Sequence, residues 1–186
     1  MKAIDTRSDR MKLERITDTG HNLYQTALDL YHISFPFHEQ READSQANIL
    51  HDQEYHFHVI YDKDIFVGML LYWETERFIY IEHFCILPEF RNMHYGQRIL
   101  KLLEQQGKIV ILEIDPPLDT ISNRRKAFYE RSGFVKNPYF HIHPPYHRGS
   151  PGHKLIIMSS PSEITPEEYV FFKRYLEGRV MKNAYI

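Results

Sequence analysis

The fold of this chain is decided by residues 78–107, which read FIYIEHFCIL PEFRNMHYGQ RILKLLEQQG. The first ten residues are nearly all β-branched, aromatic or aliphatic, and they stop at Pro88, which cannot donate to a central ladder, so they predict a strand. From Gly96 onward apolar residues recur at helical spacing, and Gly107 stands where a C-cap is expected. Between the strand and the helix, backbone N–H groups can converge on an anion.

The remaining sequence predicts hairpins first and crossovers later. An Asp-Lys-Asp turn at residues 62–64 separates two strand patterns, and the nearly all-apolar run 109–114 suits a buried strand parallel to its neighbour. The expected elements are strand 11–16, helix 21–34, helix 39–50, strands 56–61, 65–73 and 78–87, helix 96–107, strand 109–114, helix 120–132, strands 133–137 and 154–159, and a helix from Pro166 to Gly178. This order predicts an α/β (α+β) domain with a mixed, mostly antiparallel sheet.

Length and composition limit the class of protein. The 186 residues suffice for one domain with a real core, and residues 1–10 are charged and aperiodic, so we expect a loose tail followed by a single domain at 11–186. No apolar run is long enough to span a membrane, and the start carries no signal-peptide pattern, which favours a cytoplasmic protein. The formal charge of -2 implies no nucleic-acid partner. The lone Cys85 fits a reducing compartment.

Two segments carry a resemblance to a known family. Residues 91–96, RNMHYG, resemble the Arg/Gln-x-x-Gly-x-Gly/Ala pyrophosphate loop of the GNAT acetyltransferase superfamily, with His94 standing where the first glycine is usual. Residues 122–134, SNRRKAFYERSGF, resemble the superfamily's helix-to-strand segment and keep Tyr129, Gly133 and Phe134. The resemblance covers roughly residues 11–160. It implies a three-layer GNAT-like fold, acetyl-CoA as the co-substrate and transfer of an acetyl group to an amine.

The resemblance also implies where acetyl-CoA binds. The diphosphate is expected on the turn and the first helical residues, and the pantetheine arm on the central strand, where that strand separates from the next one. The residues implied in donor binding are Phe84, Cys85, Ile86, Arg91, Asn92, Met93, His94, Tyr95, Gly96, Gln97 and Ser122. The alternative interpretation of residues 78–87 is an interior strand in which every backbone group is paired, which would leave no free edge for the pantetheine arm.

Two aromatic-rich segments are expected to hold the acceptor, which is a small-molecule or peptide amine. The first is the helix break that contains Phe35 and Phe37, whose alternative role is to fill the core. The second is the Pro/His-rich loop 137–153. The expected acceptor-binding residues are Phe35, Phe37, Tyr80, Tyr139, His141 and Tyr146. These segments contain few acids, which disfavours a polyamine.

Direct transfer needs a base for the amine and an acid for the departing thiolate. Glu82 is a carboxylate in an apolar strand, and strand alternation groups it with Tyr80 and Phe84, so it is the expected base. Its alternative role is an ion pair with an arginine such as Arg77 or Arg125. His83 is expected to be a core histidine on the opposite face.

Tyr129 matches the family's thiolate-protonating tyrosine and is the expected acid. Cys85, on the face opposite Glu82, is not expected to act as a nucleophile.

The twelve histidines suggest other functions only weakly. Residues 141, 143 and 147, or 56 and 58, have spacings that can hold zinc, but no cysteine or carboxylate lies nearby in sequence to complete a site, so we expect no metal cofactor. The competing functional classes are a CoA-binding or protein-interaction module without turnover, favoured by His94, and a histidine-rich metal-binding protein. A homodimer is compatible with the sequence.

Overall fold

The computed structural model describes residues 11–185, so the tail expected at residues 1–10 lies outside the described part of the chain. The strands are β1 (Met11–Ile16), β2 (Tyr55–Asp62), β3 (Ile65–Glu74), β4 (Phe78–Ile86), β5 (Ile109–Ile114), β6 (Val135–Lys136), β7 (His141–His143) and β8 (His153–Ser160). The α-helices are α1 (Tyr24–Ser34), α2 (Ala43–Ile49), α3 (Tyr95–Glu104), α4 (Thr120–Arg131) and α5 (Pro166–Tyr175).

The strands form a mixed sheet in the order β1-β2-β3-β4-β5-β8-β6, with β7 paired to the first residues of β8. Among the strands of residues 11–185, β4 and β5 make the one parallel pair, and all other pairings are antiparallel. The crossover between the parallel strands contains α3. The predicted fold class, a mixed and mostly antiparallel sheet flanked by helices, is therefore confirmed.

Helices cover both faces of the sheet. One face packs against α1, α5 and the segment after α5, with Leu30, Phe172 and Val180 in its core. The other face packs against α3 through Ile99 and Leu103, with parts of α4 at its border. None of the helices within the described residues is long and apolar enough to cross a membrane.

The helix ends follow from local capping. The Asp119 side chain caps α4, accepting hydrogen bonds from the backbone N–H groups of Ile121 and Ser122. Thr165 and Glu168 form a capping box at the start of α5, with Pro166 in the first turn, as the sequence predicts. Gly107, with φ of 73°, follows the end of α3 as expected of a C-cap glycine.

Three predicted elements differ from the structure. The helix expected at 39–50 is a short 3₁₀ turn, Phe37–Glu39, followed by α2; between them, the Arg41 backbone N–H donates to the Tyr31 hydroxyl at 2.8 Å. Gly178 does not end the last helix, because α5 continues as a π turn, Leu176–Val180. The loop expected at 137–153 contains β7, whose polar residues His141 and His143 face inward while Ile142 is exposed, a pattern opposite to the usual strand signal.

The alternation predicted for β4 is wrong because the strand contains a bulge. Leu71 of β3 pairs with His83 and the next residue, Tyr72, pairs with Ile81, so Glu82 is the extra residue. Glu82 and His83 consequently both contact groups on the α1 side of the sheet. Phe84 packs on the other face, with α3, and Cys85 packs on the same side as Glu82.

Candidate functional site

The site is built on a fork between β4 and β5. The two strands pair from Phe78–Ile109 to Ile81–Leu112, and beyond that point β5 continues to pair only with β8. The edge of β4 from Glu82 to Ile86 therefore has no partner strand on this side. The fork opens into a cavity of about 1180 Å³. This separation, expected from the family resemblance, leaves backbone groups that a ligand can pair with.

One end of the cavity is lined by the turn before α3. Asn92 and His94 both have a left-handed backbone, each with φ of 62°, so His94 adopts the conformation that the usual glycine would reach more easily. His94 is also the N-cap of α3, and its side chain caps no backbone group. Within residues 11–185, the N–H groups of Tyr95, Gly96 and Gln97 have no hydrogen-bond acceptor. Three unpaired amides at a helix start favour a bound anion.

One face of α4 adds positive charge to the same region. Arg124 and Arg125 line the cavity together with Ile121, Phe128 and Tyr129. This spacing places the five side chains along one face of the helix. Arg125 is paired with Asp115 at 2.7 Å. The charge of the chain is near neutral overall, but this part of the cavity is suited to phosphate groups.

At Gly96 the backbone of α3 lies close to the Phe128 ring of α4. A Cβ placed on Gly96 would lie 2.9 Å from Cζ of Phe128. The Phe128 ring fills the space that a side chain at Gly96 would take, so the absence of a Cβ allows α4 to pack against α3.

We expect Gly96→Val to weaken coenzyme A binding by about tenfold or more, because the added side chain must displace Phe128 and the cavity face of α4. Calorimetry with coenzyme A measures this loss. Gly178→Val is the matched control, since a Cβ at Gly178 meets no atom within 4 Å. His94→Gly should leave the affinity unchanged or raise it. Normal affinity in Gly96→Val would place the anion site elsewhere.

Tyr129 reaches the cavity from α4. Within the described residues its hydroxyl has no hydrogen-bond partner, and burial raises its pKa to about 12. The hydroxyl is therefore protonated and available to donate. Burial also raises the pKa of the nearby Cys85 thiol to about 11, so this residue is a thiol and not a thiolate at neutral pH.

Glu82 is enclosed by hydrogen-bond donors. Its Oε1 accepts from Arg41 Nη2 and from the Tyr146 hydroxyl, both at 2.9 Å, and its Oε2 accepts from Trp73 Nε1 at 2.7 Å. Burial alone would raise its pKa, but Arg41 and the hydrogen bonds bring it to about 2. The arginine partner is thus Arg41 and neither Arg77 nor Arg125. A carboxylate this acidic has little tendency to take a proton.

Glu113 lies on the other arm of the fork. Its Oε2 accepts from the Tyr80 hydroxyl at 2.5 Å, and its Oε1 pairs with Nε2 of the buried His141. Burial opposes ionisation, but His143 and His141 hold the pKa of Glu113 below its ordinary value. The fork therefore carries two buried carboxylates, Glu82 on β4 and Glu113 on β5.

Two buried imidazoles line the cavity with one ring nitrogen unpaired. His143 bonds to the Pro144 carbonyl through Nδ1 at 2.6 Å, so Nδ1 is the donor and Nε2 holds the lone pair when the ring is neutral. This Nε2 lies 3.8 Å from Oε2 of Glu113. His83 bonds to the Glu39 carbonyl through Nε2, and its Nδ1 is unpaired. Burial lowers the pKa of His83, which favours its neutral form.

Most of the residues predicted for the site line the cavity. They are Phe35, Tyr80, Glu82, Phe84, Cys85, Ile86, Arg91, Asn92, His94, Tyr95, Gly96, Gln97, Tyr129 and Tyr146. The structure does not bring Met93, Ser122, Phe37, Tyr139 or His141 to it. Ser122 is in the capping box of α4, Phe37 stacks on His147, and Tyr139 stacks on Tyr169. His141 pairs with Oε1 of Glu113 through its Nε2.

Sequence reasoning missed several residues of the site. Glu113 was detectable, since it is a carboxylate in an apolar strand, the same signal that indicated Glu82. Arg41 and His143 carried no such signal, because the first lies in a polar segment and the second in a loop with other histidines. Only the fold brings them to the fork.

The comparisons with known proteins agree with this geometry. The family model described as the acetyltransferase (GNAT) family matches residues 21–134. The protein is therefore an acyltransferase that uses acetyl-CoA, and it belongs to the GNAT acetyltransferase family. The predictions of the family, the enzyme class and the co-substrate are confirmed. No curated protein matches the chain by sequence.

Solved structures share the fold. A Bacteroides thetaiotaomicron protein described as being from the GNAT family is 28% identical, with a TM-score of 0.84 over 91% of this chain and 98% of that one. Arabidopsis thaliana Naa50, in complex with the bisubstrate analogue CoA-Ac-MVNAL, is 17% identical, with a TM-score of 0.59 over 81% of this chain and 98% of that one. An aminoglycoside 6'-N-acetyltransferase complexed with coenzyme A is 16% identical, with a TM-score of 0.54 over 80% and 96%.

Proposed function

We propose that the protein transfers the acetyl group of acetyl-CoA directly to a primary amine, carried by a small molecule or a peptide. The observation that carries this proposal is the edge of β4 from Glu82 to Ile86, which has no partner strand beyond Ile81 and lies in one cavity with the unpaired amides at the start of α3. On this edge the carbonyl of Ile86 accepts from Arg91 Nε at 3.2 Å. A thioester on a long flexible arm needs both features, an anion site for its diphosphate and a strand edge for its amide groups.

The donor is proposed to enter from the α3 side. Its diphosphate lies on the N–H groups of Tyr95, Gly96 and Gln97, and its pantetheine amides pair with the β4 edge. This places the thioester at the fork. Phe84 and Ile86 pack on the α3 face of the sheet, so their side chains border the donor half of the cavity.

The acceptor is proposed to enter from the side of α1 and β7, where the cavity is lined by Glu39, Glu113 and Asp115. These carboxylates attract an ammonium group, because their low-dielectric surroundings strengthen the interaction. Glu39 lies in one of the two acid-poor segments, whereas Glu113 and Asp115 come from the end of β5 and the residue after it. With these carboxylates in the lining, the proposal keeps a polyamine among the candidate acceptors.

The base role that the sequence indicated for Glu82 passes, in this proposal, to His143. Glu82 accepts hydrogen bonds from three side chains and has a pKa of about 2, so removing a proton from the amine would require breaking its contacts. His143 Nε2 has a free lone pair and lies 3.8 Å from Glu113 Oε2. An ammonium group can donate to both atoms, and the imidazolium formed after proton transfer has the Glu113 charge beside it.

Tyr129 is proposed to protonate the departing thiolate. Its hydroxyl is protonated, unpaired and located in the same cavity. Coenzyme A thiolate needs one proton as the thioester breaks, and a positioned tyrosine hydroxyl supplies it without prior ionisation. The reaction then needs no acyl-enzyme intermediate.

The test is a screen of small amines and peptides with acetyl-CoA, read as release of free thiol. Acceptor-dependent thiol release supports the proposal, and Cys85→Ala should keep the wild-type rate because its thiol is buried and un-ionised. Coenzyme A binding without thiol release for any amine would favour the alternative, a binding module without turnover. A folded but inactive Cys85→Ala would contradict direct transfer. A cytoplasmic location and a homodimer remain predictions.

A further inference from the structure

A cluster of metal-ligand side chains lies at the acceptor end of the cavity. His38 and Glu39 come from the 3₁₀ turn between α1 and α2, and His153 is the first residue of β8. Among residues 11–185, these form the one group of three such side chains whose ligand atoms all lie within 4.8 Å of one another. All three line the cavity. The cluster differs from both histidine groups that the sequence spacing singled out.

Two of the three separations between the ligand atoms are close to those of a tetrahedral site, and the third, between the two histidines, is at most 4.8 Å. His38 Nε2 lies 3.7 Å and His153 Nδ1 lies 3.9 Å from the same carboxylate oxygen, Oε1 of Glu39. Bonds of about 2.0–2.1 Å to zinc place neighbouring tetrahedral ligands about 3.3 Å apart. The gap of a few tenths of an ångström can be closed by side-chain rotation, because the His38 side chain is 60% exposed and that of His153 is 33% exposed.

The carboxylate of Asp115 lies beside the second nitrogen of His153, where a metal-bound histidine usually has a hydrogen-bond acceptor. Its Nε2 faces Oδ1 of Asp115 at 3.4 Å, which leaves Nδ1 directed to Glu39. Asp115 is in turn held by Arg125 at 2.7 Å. A carboxylate behind a ligating histidine fixes the ring and raises its basicity. This is the independent observation that distinguishes the cluster from a chance meeting of surface histidines.

We propose that His38, Glu39 and His153 bind a divalent transition-metal ion, with zinc the best match, and that this ion inhibits acceptor use. Two imidazoles and one carboxylate are a suitable donor set for zinc, and three protein ligands leave a fourth position open. The ion would tie the turn at 37–39 to the start of β8, the two walls of the acceptor entrance. The bound ion would occupy Glu39, one of the carboxylates proposed to attract the acceptor, and would add positive charge at the entrance, so it would compete with the ammonium form of the acceptor.

The inhibition, but not the binding, rests on the proposed acetyl transfer, so two measurements separate them. The first is calorimetry of the metal-free full chain with zinc chloride. Wild type and the control His51→Gln, an exposed histidine outside the cavity, are expected to bind one equivalent. His38→Gln and His153→Gln are expected to bind at least about tenfold more weakly, and Asp115→Asn about tenfold more weakly. Equal affinity in all variants, or no binding by wild type, would overturn the site.

The second measurement is steady-state acetyl transfer with and without buffered zinc. Zinc should raise the KM for the acceptor in wild type and in His51→Gln and should leave the KM for acetyl-CoA unchanged. His153→Gln should show no such rise. An unchanged acceptor KM in wild type at saturating zinc would overturn the inhibitory role. If no amine is acetylated at all, the proposed function fails while calorimetry still decides the metal site.

Discussion

Replacing Glu82 with glutamine is expected to lower the free energy of unfolding by about 3–5 kcal/mol, because the Arg41 guanidinium would remain buried without its counter-charge. The side chains of both residues are 1% exposed, so water cannot replace the lost charge. Glutamine has the same size but keeps only one of the two acceptor oxygens, so the loss reports the charge and a hydrogen bond and not a cavity. Chemical denaturation followed by circular dichroism measures the change.

Two variants serve as controls for the Glu82 prediction. Glu76→Gln removes an exposed carboxylate and should change the stability by less than about 0.5 kcal/mol. The double variant Arg41→Met with Glu82→Leu removes both charges and should recover part of the loss. A loss below about 1 kcal/mol in Glu82→Gln would mean that the pair behaves like an exposed one.

The same pair gives a pH dependence whose sign follows from the pKa of Glu82. This pKa is about 2 in the folded protein and 4.5 as the ordinary value, so the folded state favours the ionised form. The stabilisation from the pair is present above pH 4.5 and is lost as the pH falls from 4.5 towards 2. The advantage of wild type over Glu82→Gln in denaturation curves should therefore shrink through this range.

The second large effect is expected at the two residues proposed to transfer protons, His143 and Tyr129. His143→Gln and Tyr129→Phe should each lower kcat by about 10²–10⁴ near neutral pH, since each removes one proton transfer from the reaction. The rate of His143→Gln should recover as the pH rises towards the pKa of the acceptor amine, because neutral amine then no longer needs a base. Tyr129→Phe should show no recovery at high pH. The hydroxyl that it lacks has a pKa of about 12 in wild type and donates to the thiolate, so a neutral amine does not replace it. Initial rates of thiol release across pH measure both.

His147→Gln is the matched control for His143, because it changes a histidine in the loop after β7 that stacks on Phe37 and does not line the cavity. It should keep the wild-type rate. Coenzyme A affinity by calorimetry should be unchanged in His143→Gln and Tyr129→Phe. A fully active His143→Gln would remove this residue from the mechanism, and recovery of Tyr129→Phe at high pH would assign the tyrosine to the amine side.

Local signals were sufficient for most of the fold and for the turn that lines one end of the cavity. The strand, turn and helix of residues 78–107 are contiguous, so composition and spacing predicted them. The parallel pairing of β4 with β5 also followed from the sequence, because an apolar run after a helix suits a buried strand. The strand, the turn and the helix depend on neighbouring residues only, and the pairing of β4 with β5 depends on the single helix between them.

The acceptor half depends on contacts between distant segments, which explains the errors there. The bulge at Glu82 arises from its pairing with β3, and no residue within β4 indicates it, so strand alternation assigned the wrong face to His83, Phe84 and Cys85. β7 was missed because its inward residues are histidines that meet Glu113, a partner 28 positions from His141 in the sequence. Patterns of hydrophobicity cannot report polar partners of this kind.

The buried arginine behind the fork has a consequence for the order in which the protein can assemble. Arg41 Nη2 also donates to the carbonyl of Val180 at 2.9 Å, across 139 positions of the chain, and the Ser45 hydroxyl bonds to the carbonyl of Asn183. During synthesis from the N-terminus, the α1–α2 region leaves the ribosome long before these carbonyls exist. The amides of the α3 turn need no such delayed partner. The turn before α3 can therefore form early in a nascent chain, whereas the segment that contains Arg41 and Ser45 is fixed only after Val180 and Asn183 have been made.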